Sequence, residues 1–210
     1  MEISAKNPIF LVNDPDGSQI ILFKKWILEP ECKALFEYCV NLETKLYPFR
    51  LKQNRLLYAF GDEGVYHEFR NVKVDIHKWS SECLSLQKRI QSEFDVYNNF
   101  CLINHYRNGY DSIASHSDGE LHSKNKSVFT AAVGATRTMQ LIPYSSLKSK
   151  ISFDFEQGDL LWMCGNVQSK WKHGIDIEPS VPNPRYSFTF RSTLIKTLIK
   201  KRKIEDTIAM

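Results

Sequence analysis

The chain has 210 residues and a formal net charge of +4, and 42% of its residues are hydrophobic, 12% aromatic and 25% charged. These values are typical of an ordinary globular protein with one substantial core, and they disfavour the membrane and disordered classes. Five cysteines without a C-x-x-C pair favour a reducing compartment. We find neither a signal-peptide pattern nor an apolar run of about 18 residues. We therefore expect an intracellular protein without membrane contact.

The first part of the chain is predicted to contain a strand and two helices. Residues 18–27 form the strand, and a helix follows from Glu29, with Pro30 at a first-turn position that suits proline. A second amphipathic helix from Trp79 to Phe94 would back a sheet. The apolar residues at helical spacing on the first helix are Cys32, Leu35, Phe36, Cys39, Val40 and Leu42.

Between these helices, aromatic and basic residues are interleaved over residues 47–62. One interpretation is a nucleic-acid surface, because aromatic rings stack on bases while basic groups hold phosphates. The other interpretation is a half-exposed hairpin that packs on the core and turns at Gly61 and Asp62. Composition alone leaves both open.

From Phe100 onward the sequence changes to short segments of period two, separated by Gly, Asn, Pro and Ser. Such strands after two helices predict an α+β, mainly β fold, a sandwich or jelly roll with the helices packed on one sheet. The predicted strands cover residues 100–106, 127–134, 136–142, 150–155, 159–164 and 185–195.

Two of these strands carry polar groups on one face. Alternation over residues 100–106 places Asn104 and Tyr106 together, and a small polar ligand would supply the partners that such groups need when buried. The last strand places two arginines on one face, which could bracket a small dicarboxylate because a guanidinium suits carboxylate oxygens. Structural ion pairs are the alternative. The residues that share this face are Arg185, Ser187, Thr189 and Arg191.

The most informative motif is His116-x-Asp118, because both side chains of such a pair leave the same face of a strand. A third ligand must come from elsewhere in the sequence, and His173 is the best candidate. Together they would form a 2-His-1-carboxylate triad, which suits a non-haem Fe(II) oxygenase. We expect His77 and His105 to be structural or exposed, and the same holds for His122.

These motifs, in this order, resemble the AlkB family of Fe(II)/2-oxoglutarate dioxygenases, and most of all its eukaryotic DNA-repair branch. The resemblance implies a double-stranded β-helix, which is a cupin-like jelly roll, with an N-terminal nucleotide-recognition lid. Residues 1–99 would form the extension with the lid, residues 100–195 the catalytic core and residues 196–210 a basic tail. The matching segments are Arg55–Asp62, Ile103–Asp118, Val133–Thr138, Gly158–His173 and Pro184–Arg191.

The resemblance also implies roles for the residues around the iron. His116, Asp118 and His173 would bind Fe(II), and Arg191 would lie toward the chelating end of 2-oxoglutarate as part of the catalytic set. Arg185 would hold the distal carboxylate of 2-oxoglutarate. Its helpers would be Asn104, Tyr106 and Ser187.

A second group of residues is implied for the nucleic-acid base. Phe69 would sandwich the flipped base against His116, while Arg55 and Glu120 would line the pocket of the damaged base. Tyr47 or Phe49 would fill the gap left in the duplex. The sequence departs from the family pattern at two positions. Gly119 stands where a second acidic residue is usual, and Ser187 stands where asparagine is common.

The implied function is oxidative demethylation of bases such as 1-methyladenine and 3-methylcytosine in DNA, with Fe(II), O2 and 2-oxoglutarate consumed in DNA alkylation repair. The implied partner is alkylated DNA, including single-stranded DNA, and a monomer is expected. Three alternatives remain: an RNA demethylase that includes N6-methyladenine, a protein hydroxylase, and a catalytically silent nucleic-acid-binding protein. The basic run 196–203, which contains KKRK, is either a solvated helix end, a nuclear import signal or a phosphate-contacting tail.

Overall fold

The computed structural model describes residues 7–45, 49–50, 55–69, 72–118, 126–146 and 149–193. Its helices are α1 (Glu29–Lys45), α2 (Ser81–Phe94) and the short α3 (Val167–Lys170). None of the helices in the described ranges has the length and apolar character needed to cross a bilayer. The strands are β1 (Ile9–Asn13), β2 (Gln19–Phe23), β3 (Phe49–Arg50), β4 (Leu56–Gly61), β5 (Glu68–Phe69), β6 (Val72–Lys73), β7 (Ile76–Lys78), β8 (Phe100–Tyr106), β9 (Ile113–His116), β10 (Val128–Gly134), β11 (Arg137–Pro143), β12 (Ile151–Phe155), β13 (Leu160–Cys164), β14 (Trp171–Ile175) and β15 (Arg185–Arg191).

Two sheets form the jelly roll, as predicted. The large sheet has the strand order β1-β2-β13-β10-β15-β8-β4-β3, with β7 parallel to β4, and the small sheet has the order β12-β11-β14-β9. Leu161 and Met163 of the large sheet share one apolar cluster with Met139, Leu141 and Phe155 of the small sheet. The two sheets therefore pack face to face.

The helices cover the outer face of the large sheet. Leu35 of α1 and Leu86 of α2 are buried in one cluster with Phe129 and Phe188 of the sheet. Helix α2 begins where the Ser80 hydroxyl accepts a 3.2 Å hydrogen bond from the Cys83 amide, a cap that stabilises a helix by about 1 kcal/mol. The prediction of helices packed on one sheet is thus confirmed.

The boundaries of the first elements differ from prediction. The first predicted strand ends at Phe23, because Lys25 has a left-handed backbone (φ 52°) that turns the chain toward α1. Helix α2 begins at Ser81 and not at Trp79, whose indole instead donates a 2.6 Å hydrogen bond to Asp62. The predicted apolar face of α1 was too wide, since Val40 is 45% exposed.

Residues 47–62 form a hairpin in their described part. Strand β3 pairs with β4, and β4 ends at Gly61, where the sequence predicted a turn. Every residue of β4 is buried, so the expectation of a half-exposed strand was wrong. Tyr58 and Phe60 belong to the core beneath α1 and α2, which removes both rings from the candidates for base stacking.

Strands β1, β9 and β14 were not predicted, and neither were the short strands β5, β6 and β7. Strand β9 has four residues and β14 contains Gly174, so neither shows the sustained alternation that identifies a strand in sequence. Both strands belong to the small sheet, and β14 pairs with β11 on one side and β9 on the other. The sequence signal was therefore weakest in the part of the small sheet nearest the His-x-Asp motif.

A buried arginine fixes the loop that leads into β9. Arg137 donates hydrogen bonds to the carbonyls of Asn108 (3.2 Å) and Asp111 (3.0 Å) and to the carboxylate of Glu178 (3.2 Å). Gly109 lies in this loop, and its amide donates a 2.7 Å hydrogen bond to the Val181 carbonyl. The loop and the segment around residue 178 are thereby held together.

We expect Gly109→Ala to destabilise the fold by roughly 2 kcal/mol or more, because overpacking forces backbone to move. An added Cβ would lie 1.7 Å from the Glu178 carbonyl oxygen, and that atom is rigid backbone. Thermal or urea unfolding measures the change. The neighbouring Tyr110 is 60% exposed, so Tyr110→Ala should stay within about 0.5 kcal/mol of wild type. Equal effects of the two substitutions would contradict the close packing at Gly109.

Candidate metal centre

Two histidines face each other across neighbouring strands of the small sheet. His116 ends β9 and is the register partner of His173 on β14, and the centroids of their rings lie 4.4 Å apart. Asp118 follows two residues later, with its Oδ1 3.9 Å from His116 Nε2 and its Oδ2 3.7 Å from His173 Nε2. Neighbouring ligands of one ion at ~2.1 Å lie roughly 3 Å apart. The predicted convergence of these three residues is confirmed, because all three ligand atoms lie within 4.8 Å of one another.

The hydrogen bond of His116 determines which of its nitrogens faces the cluster. Its Nδ1 lies 3.0 Å from the Ala114 carbonyl oxygen, which can only accept a hydrogen bond. The proton therefore resides on Nδ1, and Nε2 keeps its lone pair on the side of Asp118. In metal sites, a hydrogen bond made by the ring nitrogen that does not bind the metal orients the imidazole.

Asp118 is held on two sides. Arg191 donates a 2.9 Å hydrogen bond from Nη1 to its Oδ1, and the amide of Asp118 donates a 2.8 Å bond to Gln168 Oε1 on α3. The second carboxylate oxygen, Oδ2, is buried and has no hydrogen-bond partner among the described residues. A buried carboxylate oxygen without a partner is unfavourable unless a cation binds it. The donor set of two imidazoles and one carboxylate fits Fe(II).

The ionisation states also suit a metal ion. Burial would raise the pKa of the Asp118 carboxyl, but Arg191 and the two imidazoles outweigh burial and hold that pKa below its usual value. Burial lowers the pKa of His173 to about 4, and burial also lowers the pKa of His116. At neutral pH the carboxylate is therefore charged and both imidazoles are neutral, which are the forms that bind metals.

Arg185 is completely buried on β15, where it is the register partner of Tyr106 on β8. Its Nη1 donates hydrogen bonds to the carbonyls of Ala135 (2.9 Å) and Phe155 (2.7 Å), while Nε and Nη2 have no acceptor among the described residues. Burial lowers the pKa of Arg185 to about 10, so the group is still cationic at neutral pH. Two unpaired donors on one guanidinium fit the carboxylate of a small anion.

A cavity of about 450 Å³ joins these residues, within the range of roughly 300–1,000 Å³ that is usual for small-molecule sites. Arg185 does not line the cavity itself, but its neighbours Tyr106, Phe155 and Ser187 do. The Ser187 hydroxyl hydrogen-bonds Tyr106. The other lining side chains include Arg55, His67, Asn104, His116, Asp118, His173, Thr189 and Arg191.

The polar faces predicted on β8 and β15 point into this cavity. Asn104 Oδ1 accepts a 2.9 Å hydrogen bond from Arg55 Nε. Asn104, which was predicted to help bind 2-oxoglutarate, is therefore in contact with Arg55, which was predicted to line the pocket of the base. His105 faces the opposite side, where its ring stacks on Tyr186 at 4.4 Å. Structural ion pairs were the alternative to dicarboxylate binding by the two arginines of β15. Arg191 does form an ion pair with Asp118, whereas Arg185 makes no ion pair within the described structure.

Two residues of the site were missed by the sequence analysis. His67, between β4 and β5, has its Nε2 3.0 Å from Arg191 Nη2 and its ring 5.0 Å from the ring of Phe100. Since arginine only donates, His67 Nε2 accepts, and burial lowers the pKa of His67 to about 4. Gln168 is the other. His67 lies outside the matching segments, and Gln168 lies within the segment Gly158–His173 but was not singled out there.

Several predicted residues cannot be placed in the cavity. Tyr47, Gly119 and Glu120 lie outside the described residues, as does the basic run 196–203. Phe49 and Phe69 lie on β3 and β5, but only their backbone is described. Their roles toward a base therefore stay predictions.

Comparisons with known proteins agree with the site. The family model described as the 2OG-Fe(II) oxygenase superfamily matches residues 30–191. The chain is 28% identical over 179 residues to the alpha-ketoglutarate-dependent dioxygenase alkB homolog 3 of Mus musculus, covering 80% of this chain and 60% of that protein. It is 24% identical over 148 residues to the DNA oxidative demethylase ALKBH2 of Bos taurus, covering 66% of this chain and 53% of that protein. The match thus spans little more than half the length of these relatives.

A solved structure shows the same fold. The structure of OsALKBH1 superposes with a TM-score of 0.65 at 15% sequence identity, covering 88% of this chain and 100% of that chain. At this identity the likeness concerns the fold alone.

We expect His67→Leu to weaken Mn(II) binding roughly tenfold, because residues that orient metal ligands typically contribute this much to affinity. The substitution removes the acceptor of Arg191, which in turn holds Asp118. Calorimetric titration with Mn(II) in place of the air-sensitive Fe(II) measures the change.

Two variants control this experiment. His67→Gln keeps an acceptor for Arg191 and should recover most of the affinity. His77→Leu, on β7 and outside the cavity, should leave the affinity unchanged. Unaltered Mn(II) binding by His67→Leu would show that His67 does not position the carboxylate.

Proposed function

The chain belongs to the 2OG-Fe(II) oxygenase superfamily as an AlkB-type member, and from this premise we propose that it oxidatively removes N-methyl groups from nucleic-acid bases. The family binds Fe(II) and 2-oxoglutarate and consumes O2. The observation that carries the proposal is the cluster of His116, Asp118 and His173, in which a buried carboxylate oxygen of Asp118 has no hydrogen-bond partner among the residues that the structure describes. DNA is the proposed substrate, because one relative is named a DNA oxidative demethylase.

In this proposal, His116, Asp118 and His173 hold the iron through their Nε2 and carboxylate atoms, and Arg191 keeps Asp118 ionised and oriented. Three protein ligands leave positions for the cosubstrate and for O2. When bound, the iron and 2-oxoglutarate supply the oxidation: the cosubstrate loses CO2 and becomes succinate, and one oxygen atom is delivered to the methyl carbon. The resulting hydroxymethyl group leaves as formaldehyde, and for the cationic 1-methyladenine and 3-methylcytosine a proton is released with it, so that the ring nitrogen recovers its lone pair.

The cosubstrate would lie between the two arginines of β15. Arg185 offers two unpaired donors to the distal carboxylate, and Tyr106 and Ser187 form the wall of the cavity beside it. Arg191 lies at the other end of the strand, next to Asp118, which is consistent with its expected place near the chelating end. Asn104 would contribute its amide nitrogen, because its oxygen already accepts from Arg55.

A methylated base inside a duplex cannot reach such a cavity unless it is extruded, and extrusion is least costly for lesions that cannot pair. Residues 1–99 would contribute the lid that receives the base, residues 100–195 the catalytic core and residues 196–210 a basic tail. Arg55 contacts the cavity, while Tyr47, Phe49, Phe69 and Glu120 are proposed for base contacts on the family resemblance alone.

We expect Asp118→Ala to abolish formaldehyde release from oligonucleotides that contain methylated bases, because the iron loses its only carboxylate ligand. Mass spectrometry of the bases and a formaldehyde assay on duplex DNA, single-stranded DNA and RNA give the measurement and separate the DNA proposal from an RNA substrate. The melting temperature should show a folded variant. Turnover by Asp118→Ala at the wild-type rate would disprove the proposal.

We expect Arg185→Gln to raise the KM for 2-oxoglutarate roughly tenfold or more, because a charge-assisted pair is replaced by a neutral contact. Mn(II) affinity should be unchanged, since Arg185 contacts none of the three ligands, and this measurement also shows that the variant has folded. A KM equal to that of wild type would exclude Arg185 from cosubstrate binding.

A further inference from the structure

Tyr144 is an exposed aromatic residue that is held in place from two sides. It directly follows β11 and is 52% exposed. Its amide donates a 2.8 Å hydrogen bond to the Lys170 carbonyl at the end of α3, and its hydroxyl lies 3.2 Å from the Ser117 hydroxyl. A ring that is already fixed loses little conformational freedom when a ligand packs on it. Tyr144 is therefore well suited to act as a binding surface.

Tyr144 lies at the rim of the cavity that holds the candidate metal centre. Ser117 lines this cavity and stands in the sequence between the proposed ligands His116 and Asp118. Tyr144 does not line the cavity, so its ring lies outside, next to the wall that Ser117 forms. A base whose methyl group comes close to the metal lies inside the cavity, while the strand that carries it continues outside. That strand has to cross the rim.

The Tyr144 ring is accompanied by a cation. Lys172 Nζ on β14 lies 5.0 Å from the centroid of the ring, within the cation–π range of about 6 Å. Two residues earlier, Lys170 is neutralised by salt bridges to Asp14 (3.1 Å) and Asp16 (2.8 Å). Lys172 makes no ion pair with any residue that the structure describes. An ammonium group that is not balanced by a carboxylate suits a phosphate, the anion that nucleic acids offer.

We propose that Tyr144 and Lys172 bind the nucleotide next to the target base, with the neighbouring base stacked on the ring and a phosphate bound by the ammonium group. Aromatic rings beside basic groups bind single strands with little sequence preference, because every base has a face that stacks. The inference rests on the proposed demethylation and specifies the form of its substrate. The target base lies in an unpaired strand and has at least one neighbouring nucleotide, whatever the identity of that neighbour.

Two single-stranded probes test the stacking contact. The first is a pentanucleotide with a central 1-methyladenine between thymines, and the second has abasic residues in place of both adjacent thymines. Their Kd values are measured by fluorescence anisotropy with the Mn(II)–2-oxoglutarate form of the protein. Tyr144→Ala should weaken binding of the first probe roughly tenfold and of the second by less than about threefold, because abasic neighbours have no base to stack.

The phosphate contact is tested by salt dependence. Lys172→Gln should weaken both probes alike and lower the slope of log Kd against log salt concentration by about 0.7, the value for one phosphate of a single strand. Lys88→Gln makes the same change at an exposed position of α2, on the outer side of the large sheet, and should keep the wild-type slope. Tyr110→Ala removes a similarly exposed ring outside the cavity and should keep the wild-type affinity.

A purely structural role of Tyr144 would act through Ser117 on the neighbouring metal ligands. Tyr144→Phe loses only the hydroxyl and should keep the affinity for the first probe within about threefold of wild type, the effect expected of a single neutral hydrogen bond. Calorimetric titration of Tyr144→Ala should give the wild-type affinity for Mn(II). The inference is overturned by equal losses in Tyr144→Phe and Tyr144→Ala, by weakened Mn(II) binding, or by equal losses of Tyr144→Ala on the two probes.

Formaldehyde release from the first probe tests the proposed demethylation separately. If formaldehyde is released while Tyr144→Ala and Lys172→Gln bind both probes like wild type, the inference fails and the demethylation stands. Conversely, if no formaldehyde is released but the Kd values depend on both residues as expected, the surface binds nucleic acid and the proposed demethylation fails.

Discussion

The register between β9 and β14 is the constraint on which the site depends. Side chains alternate along a strand with a period of two, so a slip of one residue would send His173 to the opposite face of the small sheet. The observed register makes His116 and His173 direct partners, and Asp118 then needs only two further residues to reach both imidazoles. Gly174 permits this close pairing, since a Cβ there would lie 2.9 Å from the Ile113 carbonyl oxygen. The metal centre is thus a consequence of strand pairing as much as of ligand identity.

The site also depends on how the two sheets face each other. The three candidate metal ligands come from the small sheet and from the residues just after β9, whereas Asn104, Tyr106 and Arg185 come from β8 and β15 of the large sheet. Arg191 crosses the space between the sheets, because it belongs to β15 and donates to Asp118. The apolar cluster between the sheets therefore sets how far the three candidate ligands lie from Arg185.

Sequence reasoning predicted the parts of the fold that local periodicity determines. The alternation on β8 correctly separated Asn104 and Tyr106 from His105, and the amphipathic pattern over residues 79–94 correctly predicted a helix that packs on a sheet. It failed where tertiary packing decides. Tyr58 and Phe60 follow the basic residues of the same segment and were candidates for base stacking, but they lie in the core because both faces of β4 are covered. The His-x-Asp pair was recognised as a motif, and the distant His173 was identified because two such ligands need a third to bind a metal ion. His67 could not be found, because its role arises only from contact with Arg191.

The buried arginines explain how such a cavity is kept ready for ligands. In the described part of the chain, Arg55 and Arg185 each retain donors without acceptors, and Asp118 retains an oxygen without a partner. These polar groups are individually unfavourable in the protein alone. Ligands that satisfy these groups bind the folded state and not the unfolded chain, and they therefore stabilise the fold in proportion to their affinity. The same unsatisfied groups also determine which ligands are accepted. The positive Arg185 calls for an anion, and the negative Asp118 calls for a cation.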